Sequence, residues 1–280
     1  MALADARLLD GATALVTGGG GGIGEAISLL FASHGARVMV LEIDGGRAAA
    51  TVAEIRRQGG IAEALVADAT EPAAPAAARR AVEAAFGPLD ILVNNVGDYR
   101  PRSGEFATSD PANWDGLFQI NLGHVMRMTH EFLPGMLERS SGTIINLSSV
   151  EGLRGYPPDP VYGSMKAAVV QFTKSLGVQV AARGVRVNGI APDVTQTLQV
   201  PYDAWIPPEQ EHLWPSWVPA GRKAMPVDQA LTALYLASDL SRMIPGLTLP
   251  VDGGTVAAGG WYLTSGDDGG PVKWTNRPMI

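Results

Sequence analysis

The stretch that decides the fold is "TALVTGGGGGIGEAISLLF", residues 13–31, in which five consecutive glycines separate a short apolar run from a helical one. A glycine run alone predicts either a slack linker or a loop whose backbone approaches a phosphate closely. The loop is favoured here, because "TALVT" has the composition of a buried strand and "EAISLLFASHG" has helical spacing. A helix start presents free N–H groups and the positive end of its dipole, and together these bind anions.

The rest of the chain repeats this alternation of strand and helix. Apolar runs with little alternation, typical of strands buried on both faces, predict strands over 13–17, 37–43, 61–67, 89–93, 143–148, 185–191 and 247–251. Four glycines stand where the intervening helices should end: Gly35, Gly59, Gly87 and Gly184. The order predicts an α/β fold in a single domain, with a Rossmann-like, doubly wound, seven-stranded and mostly parallel sheet flanked by helices.

The composition of the 280 residues disfavours several classes of function. A net charge of −7 without a block of lysine and arginine opposes nucleic-acid binding. The absence of cysteine excludes thiolate metal sites, and the four histidines lack metal-ligand spacing. No apolar run reaches the length of a membrane span, and the start lacks the form of a signal peptide. We therefore expect a cytoplasmic protein that binds neither nucleic acid, membrane nor metal.

An acidic residue, Glu42, ends the second predicted strand, 18 residues after Gly24. A carboxylate there can accept hydrogen bonds from the adenosine ribose hydroxyls of a dinucleotide, although it could also be a solvated charge at a strand end. A 2′-phosphate about 4 Å away would be repelled by about 4 kcal/mol per unit charge at an effective dielectric near 20. The nearest basic residue, Arg47, falls in the next predicted helix. The sequence therefore favours NAD over NADP.

The segment "YGSMK" places Tyr162 and Lys166 on one face of a helix. A neighbouring ammonium lowers the pKa of a phenol from its usual value of about 10, so that the tyrosine can act as a general base. Ser149 closes "TIINLSS" at the carboxyl end of a strand, where ligands gather in open α/β sheets. An exposed Tyr–Lys pair and a turn serine are the alternatives. For Asn121, inside an apolar helical run, the residues alone favour a structural amide.

The motifs occur in a fixed order: "TGGGGGIG" 17–24, "NNVG" 94–97, Asn121, Ser149, "YGSMK" 162–166 and "PDVTQT" 192–197. Together they resemble the short-chain dehydrogenase/reductase family, from about residue 10 to "VDGG" at 251–254. The resemblance implies an NAD-dependent enzyme that interconverts a secondary alcohol and its ketone by hydride transfer.

The resemblance also implies a role for each matching residue. Cofactor contacts are implied for Gly18, Gly22, Ile23, Gly24, Asp68, Ala69, Asn94, Gly97, Tyr162, Lys166, Thr195 and Thr197, in addition to Glu42. Tyr162 would be the catalytic acid/base, with Lys166 lowering its pKa and Ser149 orienting the substrate oxygen. Asn121 would hold a water in a proton relay, which replaces the structural interpretation. Gly19, Gly20 and Gly21 receive no role.

The chain departs from the family pattern after Pro192, where Asp193 replaces the usual glycine. A carboxylate at that place could change the position of the nicotinamide or attract its positive charge, and the sequence leaves both open. Val96 replaces an alanine, and Glu42 replaces the commoner aspartate.

Residues 192–220 lie where the family keeps its substrate lid, and their prolines oppose long regular elements. Four aromatic residues could form an apolar wall: Tyr202, Trp205, Trp214 and Trp217. They favour a hydrophobic secondary alcohol, cyclic or steroid-like, unless the tryptophans pack at a subunit interface. We expect residues 1–258 to form the NAD-binding domain with this lid, and 259–280, with Trp261 and Trp274, to pack at an interface of a homo-oligomer, with a tetramer favoured.

Three other functions are weighed against this prediction. A 3-ketoacyl-thioester reductase must dock an acidic carrier; Val178 stands where many such relatives have arginine, although Arg100, Arg102 and Arg139 remain candidates. A sugar or polyol dehydrogenase should need more polar groups in the lid. A silent NAD-sensing protein is disfavoured, because Tyr162 and Lys166 are both present.

Overall fold

Seven parallel strands form one sheet in the order β3-β2-β1-β4-β5-β6-β7. The computed structural model describes residues 7–101 and 104–260, together with the backbone of 262–264 and 273–275. The strands are β1 Thr13–Thr17, β2 Arg37–Glu42, β3 Ile61–Val66, β4 Ile91–Asn94, β5 Gly142–Leu147, β6 Val185–Pro192 and β7 Thr248–Val251. The predicted doubly wound, seven-stranded sheet is confirmed, and it is wholly rather than mostly parallel.

Helices cover both faces of the sheet. They are α1 Gly22–Ser33, α2 Gly45–Arg57, α3 Ala74–Phe86, α4 Pro111–Phe118, α5 His124–Glu138, α6 Pro160–Val180, α7 Tyr202–Trp205, α8 Trp214–Trp217, α9 Pro226–Ala237 and α10 Thr255–Ala258. One apolar core lies between the sheet and α1, α2 and α9, and a second lies between the sheet and α3, α5 and α6. Because β1 contributes to both cores, all five of its residues are buried, which explains its unalternating sequence.

The strand order reverses between β1 and β4, and a crevice opens at such a switch point, outside the carboxyl ends of the strands. The residues that follow β1, β2, β4, β5 and β6 therefore converge at one edge of the sheet. The edge strand β3 differs from the central strands, because Ile61 and Val66 are exposed. The segments predicted to carry ligand chemistry all leave the sheet at this carboxyl edge.

One helix is interrupted where the sequence predicts a continuous one. A π-helical turn over Gln119–Gly123 lies between α4 and α5. Such a turn accommodates one extra residue in the helix and is frequent at functional sites. Nothing in the apolar spacing of "WDGLFQINLGHVM" signals it.

The proline-rich segment after β6 has no long element, as its composition predicts. It contains only the short helices α7 and α8, joined by a 3-10 stretch over Pro208–Leu213. Beyond α10, strands β8 (Tyr262–Thr264) and β9 (Lys273–Thr275) pair antiparallel. Trp261 and the side chain of Trp274 lie outside the described residues, so the predicted interface of the tail stays a prediction. Within the described part of the chain, no helix is long and apolar enough to cross a membrane.

Candidate active site

A cavity of about 620 Å³ runs along the carboxyl edge of the sheet, from the glycine loop to the lid. Ten of the predicted catalytic and cofactor-binding residues line it: Gly18, Gly22, Ile23, Glu42, Gly97, Ser149, Tyr162, Lys166, Thr195 and Thr197. A neighbouring cavity of about 340 Å³ contains Asp68 and Ala69 and shares Gly18 and Glu42 with the first. The elongated shape, with one branch beside Asp68, fits a dinucleotide whose adenine occupies the smaller cavity.

The glycine loop leaves no room for side chains at the positions the motif requires. Gly18 and Gly22 have φ angles of +62° and +55°, in the left-handed region that favours glycine. A Cβ on Gly24 would lie 2.8 Å from the carbonyl carbon of Gly18 and 2.6 Å from Nδ2 of Asn95. The backbone there can approach a pyrophosphate closely at the start of α1, so the cradle fits the phosphates of a dinucleotide.

Two of the three glycines without an assigned role are also closely packed. A Cβ on Gly19 would lie 2.9 Å from the carbonyl oxygen of Val16, and one on Gly20 would lie 2.7 Å from Cγ of Glu42. Gly21 has space, since its nearest neighbour would be a side-chain atom of Arg47 at 3.6 Å. The packing of β1 and β2 against the loop therefore accounts for most of the glycine run.

The carboxylate of Glu42 is only 4% exposed and is held by the backbone. Oε2 accepts a hydrogen bond from the N–H of Gly20 at 3.2 Å, and Oε1 accepts one from the N–H of Asp44, also at 3.2 Å. Arg47 lies in α2 as predicted, yet its guanidinium reaches back to Oε1 at 2.6 Å. That hydrogen bond raises the pKa of Arg47. The negative charge of Glu42 is therefore partly compensated.

Ser149, Tyr162 and Lys166 are brought together by β5 and α6. The phenol of Tyr162 is hydrogen-bonded to the side chain of Ser149. Oγ of Ser149 accepts from the N–H of Glu151 at 3.2 Å, which leaves the serine hydroxyl proton to be donated. Nζ of Lys166 lies 5.7 Å from the centre of the Tyr162 ring and donates to the carbonyl of Leu147 at 3.3 Å. These groups face one point of the cavity.

Burial dominates the electrostatics of this cluster. It raises the pKa of Tyr162 above its ordinary value, and the hydrogen bond from Ser149 opposes that effect. It also lowers the pKa of Lys166 to about 8, against the attraction of Asp98. Desolvation therefore opposes the predicted lowering of the Tyr162 pKa by Lys166.

Asn121 lies in the π-helical turn and is completely buried. Its Nδ2 donates to the carbonyl oxygens of Asp98 at 2.8 Å and Leu117 at 3.0 Å, and its Oδ1 accepts from the N–H of Asp98 at 3.2 Å. The amide therefore fixes the loop after β4. A Cβ on Gly97 in that loop would lie 2.6 Å from Nζ of Lys166 and 3.2 Å from Oδ1 of Asn121.

Two predicted cofactor residues lie away from the cavity surface. Asn94 is completely buried at the end of β4, where Nδ2 donates to Oδ1 of Asn146 at 2.9 Å and to Oγ1 of Thr129 at 3.2 Å. Its contribution is to hold neighbouring strands together. Gly24, inside α1, allows the loop to close and is not itself among the lining residues described for either cavity.

The four predicted lid aromatics divide into two pairs. Tyr202 and Trp205 line the cavity. Trp214 is buried behind Tyr202, with its ring edge-to-face at 5.8 Å, and Trp217 packs on Trp214 at 5.4 Å. Neither Trp214 nor Trp217 is among the described residues that line the cavity. The second pair therefore supports the wall from behind.

A charged cluster at the lid end was missed by the sequence analysis, except for Asp193. Arg154 contacts Glu151 at 2.9 Å and Oδ2 of Asp193 at 3.2 Å, and Oγ1 of Thr255 also donates to that Oδ2. Glu151 and Asp193 line the cavity. Burial raises the pKa of Asp193, against the hydrogen bond from Thr255. The sequence did contain a signal for this cluster, because Glu151 and Arg154 follow the end of β5 by only a few residues.

Comparison with known proteins identifies the family. Residues 18–256 match a family model described as enoyl-(acyl carrier protein) reductase. A 3-oxoacyl-[acyl-carrier-protein] reductase from Chlamydia trachomatis is 35% identical, with 88% of this chain and 98% of the relative covered. The chain therefore belongs to the short-chain dehydrogenase/reductase family, as its motifs predict.

Two solved structures share the fold closely. A putative NAD(P)-dependent gluconate 5-dehydrogenase from Beutenbergia cavernae with bound NADP has a TM-score of 0.81 and 33% identity, covering 90% of this chain and 99% of its own. A 7α-hydroxysteroid dehydrogenase complexed with NADH and 7-oxo glycochenodeoxycholic acid has a TM-score of 0.83 and 30% identity, covering 91% and 98%. These similarities support a nicotinamide cofactor. Within the described residues, no cluster of acidic and histidine side chains could hold a metal ion.

Proposed function

We propose that the chain is a dehydrogenase that interconverts a secondary alcohol and its ketone, with NAD as hydride carrier. The observation that supports this most is the Ser149–Tyr162–Lys166 cluster, which opens into the same cavity as the glycine cradle. NAD supplies the hydride acceptor in one direction and, when reduced, the hydride donor in the other. Gly18, Gly22 and the start of α1 would hold its pyrophosphate, and Thr195 and Thr197, which line the same cavity, would bind its carboxamide.

The protein groups would handle the proton. During oxidation, the phenol oxygen of Tyr162 accepts the proton of the substrate hydroxyl while the Ser149 hydroxyl donates to the substrate oxygen. Lys166, whose pKa is lowered to about 8, is charged in neutral solution and favours the phenolate. Burial raises the pKa of Tyr162, and the positive charges of Lys166 and of the oxidised cofactor would both oppose that effect and favour the phenolate. The Asn121 amide would hold a relay water beside Lys166.

The direct test replaces one of two neighbouring phenols. Tyr162→Phe should lower kcat by about 100-fold or more, the scale of general acid–base catalysis, while NADH binding followed by fluorescence stays within a few-fold. Tyr156→Phe is the matched control, because its ring contacts that of Tyr162 at 5.9 Å and also lines the cavity. Near-normal kcat in Tyr162→Phe would contradict the proposed role of Tyr162 as the acid/base.

The preference for NAD is proposed from Glu42. Its buried carboxylate lies at the cavity wall, where it would accept from ribose hydroxyls and repel a 2′-phosphate. Since Arg47 compensates part of the charge, we expect a preference and not an exclusion of NADP. Glu42→Gln should reduce the kcat/KM ratio of NAD to NADP by about tenfold, which corresponds to about 1.4 kcal/mol. Asp44→Asn removes a nearby exposed charge and should leave the ratio unchanged; an unchanged ratio in Glu42→Gln would overturn the assignment.

The lid supports a substrate with an apolar, cyclic or steroid-like body. Tyr202 and Trp205 line the cavity, and their rings pack edge-to-face at 5.7 Å. The acyl-carrier alternative is disfavoured by exposed acidic side chains on the lid, Glu209 and Glu211, which would repel an acidic carrier protein. Turnover of cyclic ketones compared with acyl-thioester analogues tests this choice.

We also propose that the chain acts as a homo-oligomer, with a tetramer favoured. Large apolar side chains are exposed along α9 and the segment after it, notably Val227, Leu231 and Met243, the last being 86% exposed. Exposed large apolar side chains four residues apart on one helix are a feature of helices that pack against another subunit. Light scattering after size exclusion would test it, and a monomeric mass would remove the proposal.

A further inference from the structure

Asp193 is a carboxylate in the wall of the reaction cavity, where the family usually has glycine. It follows β6 directly, and its side chain is only 12% exposed. Both of its described partners, Thr255 and Arg154, contact the same oxygen, Oδ2. Among the residues that the structure describes, no donor contacts Oδ1. This oxygen is a hydrogen-bond acceptor without a protein donor, on a residue that lines the cavity.

The surrounding charges determine which ligand group fits Oδ1. Arg154 already neutralises part of the charge shared by Glu151 and Asp193. A neutral donor therefore satisfies Oδ1 at less desolvation cost than a second cation would. A hydroxyl is such a donor, and hydrogen bonds to an ionised acceptor are stronger than those between neutral groups.

Asp193 and Ser149 follow the carboxyl ends of neighbouring strands. Strands β5 and β6 are neighbours, with Leu147 opposite Ile190, and Ser149 and Asp193 follow these residues by two and three positions. Adjacent strands lie about 5 Å apart. Two hydrogen bonds of about 2.8 Å, one to each of two neighbouring substrate oxygens, can span a gap of this size.

We propose that Asp193 accepts a hydrogen bond from a second substrate hydroxyl, on a carbon next to the one that is oxidised. The inference rests on the proposed function and narrows its substrate class to vicinal diols and the corresponding α-hydroxy ketones. The cyclic body of such a substrate lies against Tyr202 and Trp205, while one hydroxyl meets Ser149 and Tyr162 and the other meets Oδ1 of Asp193. Asp193 is thus a specificity-determining residue.

The test compares two alcohols that differ by one hydroxyl. Initial rates with NAD are measured for cyclohexanol and for cis- and trans-cyclohexane-1,2-diol, in the natural protein and in Asp193→Ala and Asp193→Asn. The natural protein should prefer one diol isomer over cyclohexanol by about 10- to 100-fold in kcat/KM, the range expected for a hydrogen bond to a charged group. Asp193→Ala should lose that preference, because its kcat/KM falls further for the diol than for cyclohexanol. Asp193→Asn should retain part of the preference.

Thr255→Val is the matched control, because it removes the other contact to Oδ2 and leaves the carboxylate in place. Thr255→Val should keep the diol preference. If Thr255→Val loses the preference and Asp193→Ala keeps it, Asp193 only stabilises the loop, and the inference is wrong. Equal rates for diols and cyclohexanol in the natural protein would overturn it too, with the proposed function intact. If none of these alcohols is oxidised, both the inference and the proposed function are wrong. Unfolding midpoints establish that the variants are folded.

Discussion

The cofactor end of the cavity is lined mainly by backbone atoms, whereas the substrate end is lined mainly by side chains. The glycine loop is packed so closely between β1, β2 and α1 that most of its positions cannot take a Cβ. The lid end is built from Tyr202, Trp205 and the Arg154 cluster, on loops and very short helices. Backbone can be tight only where the sheet fixes it, while side chains on loops can change without disturbing the sheet. Substitutions should therefore affect folding at the first end and substrate affinity at the second.

The largest effect is expected from Gly24→Ala. The new methyl group would overlap the carbonyl of Gly18 and Nδ2 of Asn95, and neither can move without opening the loop. We expect a loss of about 3 kcal/mol or more in the free energy of unfolding by urea. Gly21→Ala is the matched control in the same run, since its Cβ has space and its φ of −161° is extended. Equal stability of the two variants would contradict the contrast between the ends.

The next effect concerns His124, buried under the cofactor end. Its Nε2 lies 2.9 Å from the carbonyl of Val96, and burial lowers its pKa from 6.5 to about 4. Between those values the unfolded chain takes up a proton that the folded one does not, so stability should fall as the pH falls. The expected loss is on the order of 3 kcal/mol over that window. His124→Asn should make the free energy of unfolding less dependent on pH, whereas His130→Asn, at an exposed position, should leave the dependence unchanged. Parallel stability–pH profiles for the natural protein and both variants would show that His124 is not the group responsible.

Gly97→Ala tests the border between the two ends. The added methyl group would lie 2.6 Å from Nζ of Lys166, so the ammonium must shift relative to Tyr162. We expect kcat to fall about 10- to 100-fold, equivalent to about 1.4–2.7 kcal/mol, with less change in thermal stability. Gly155→Ala, where a Cβ meets nothing within 4 Å, should behave as the natural protein does. A large loss of stability with normal kcat would show that Gly97, like the glycine loop, is required for folding and not for the position of Lys166.

The smallest effect is expected at the lid. Trp205→Ala removes a ring from the cavity wall and should raise KM for a cyclic ketone about fivefold, or about 1 kcal/mol, with kcat within a factor of about two. Trp217, 41% exposed and packed behind the wall, serves as the comparison, because Trp217→Ala should leave KM unchanged. An equal rise in both variants would indicate that the four lid aromatics act as one unit.

The same contrast explains how much the sequence could predict. The seven strands are each found within about two residues of their predicted ends, because unalternating apolar runs have few other structures available to them. The residues Gly18, Gly22, Glu42, Ser149, Tyr162 and Lys166 all line the cavity. Each lies at or just after the carboxyl end of a strand, or in the first two turns of a helix.

The rest depends on contacts between side chains of different secondary-structure elements. The pairing of Arg47 with Glu42 requires α2 to begin immediately after β2, and the Asp193–Arg154 contact joins residues 39 positions apart. Side-chain direction decides that Trp205 faces the cavity while Trp217 does not, and the spacing of aromatic residues cannot reveal that. The raised pKa of Tyr162 reflects desolvation by the surrounding structure, which a local Tyr–Lys spacing does not report.

The π-helical turn at Gln119–Gly123 makes this part of the chain sensitive to length. The π-helical turn absorbs one extra residue, so one residue removed within it would restore regular α-helical winding and take Asn121 out of the loop that it fixes. One residue removed from the regular part of α4 or α5 would instead rotate the two helices by about 100° relative to each other. Met128 and Phe132, which now fill the second core, would then turn towards solvent. Single-residue deletions within α4 and α5 should therefore be lost from a pool selected for folded protein, even though substitutions at exposed positions of the same helices survive. For this segment the count of residues, as well as their identity, carries the information for the active site.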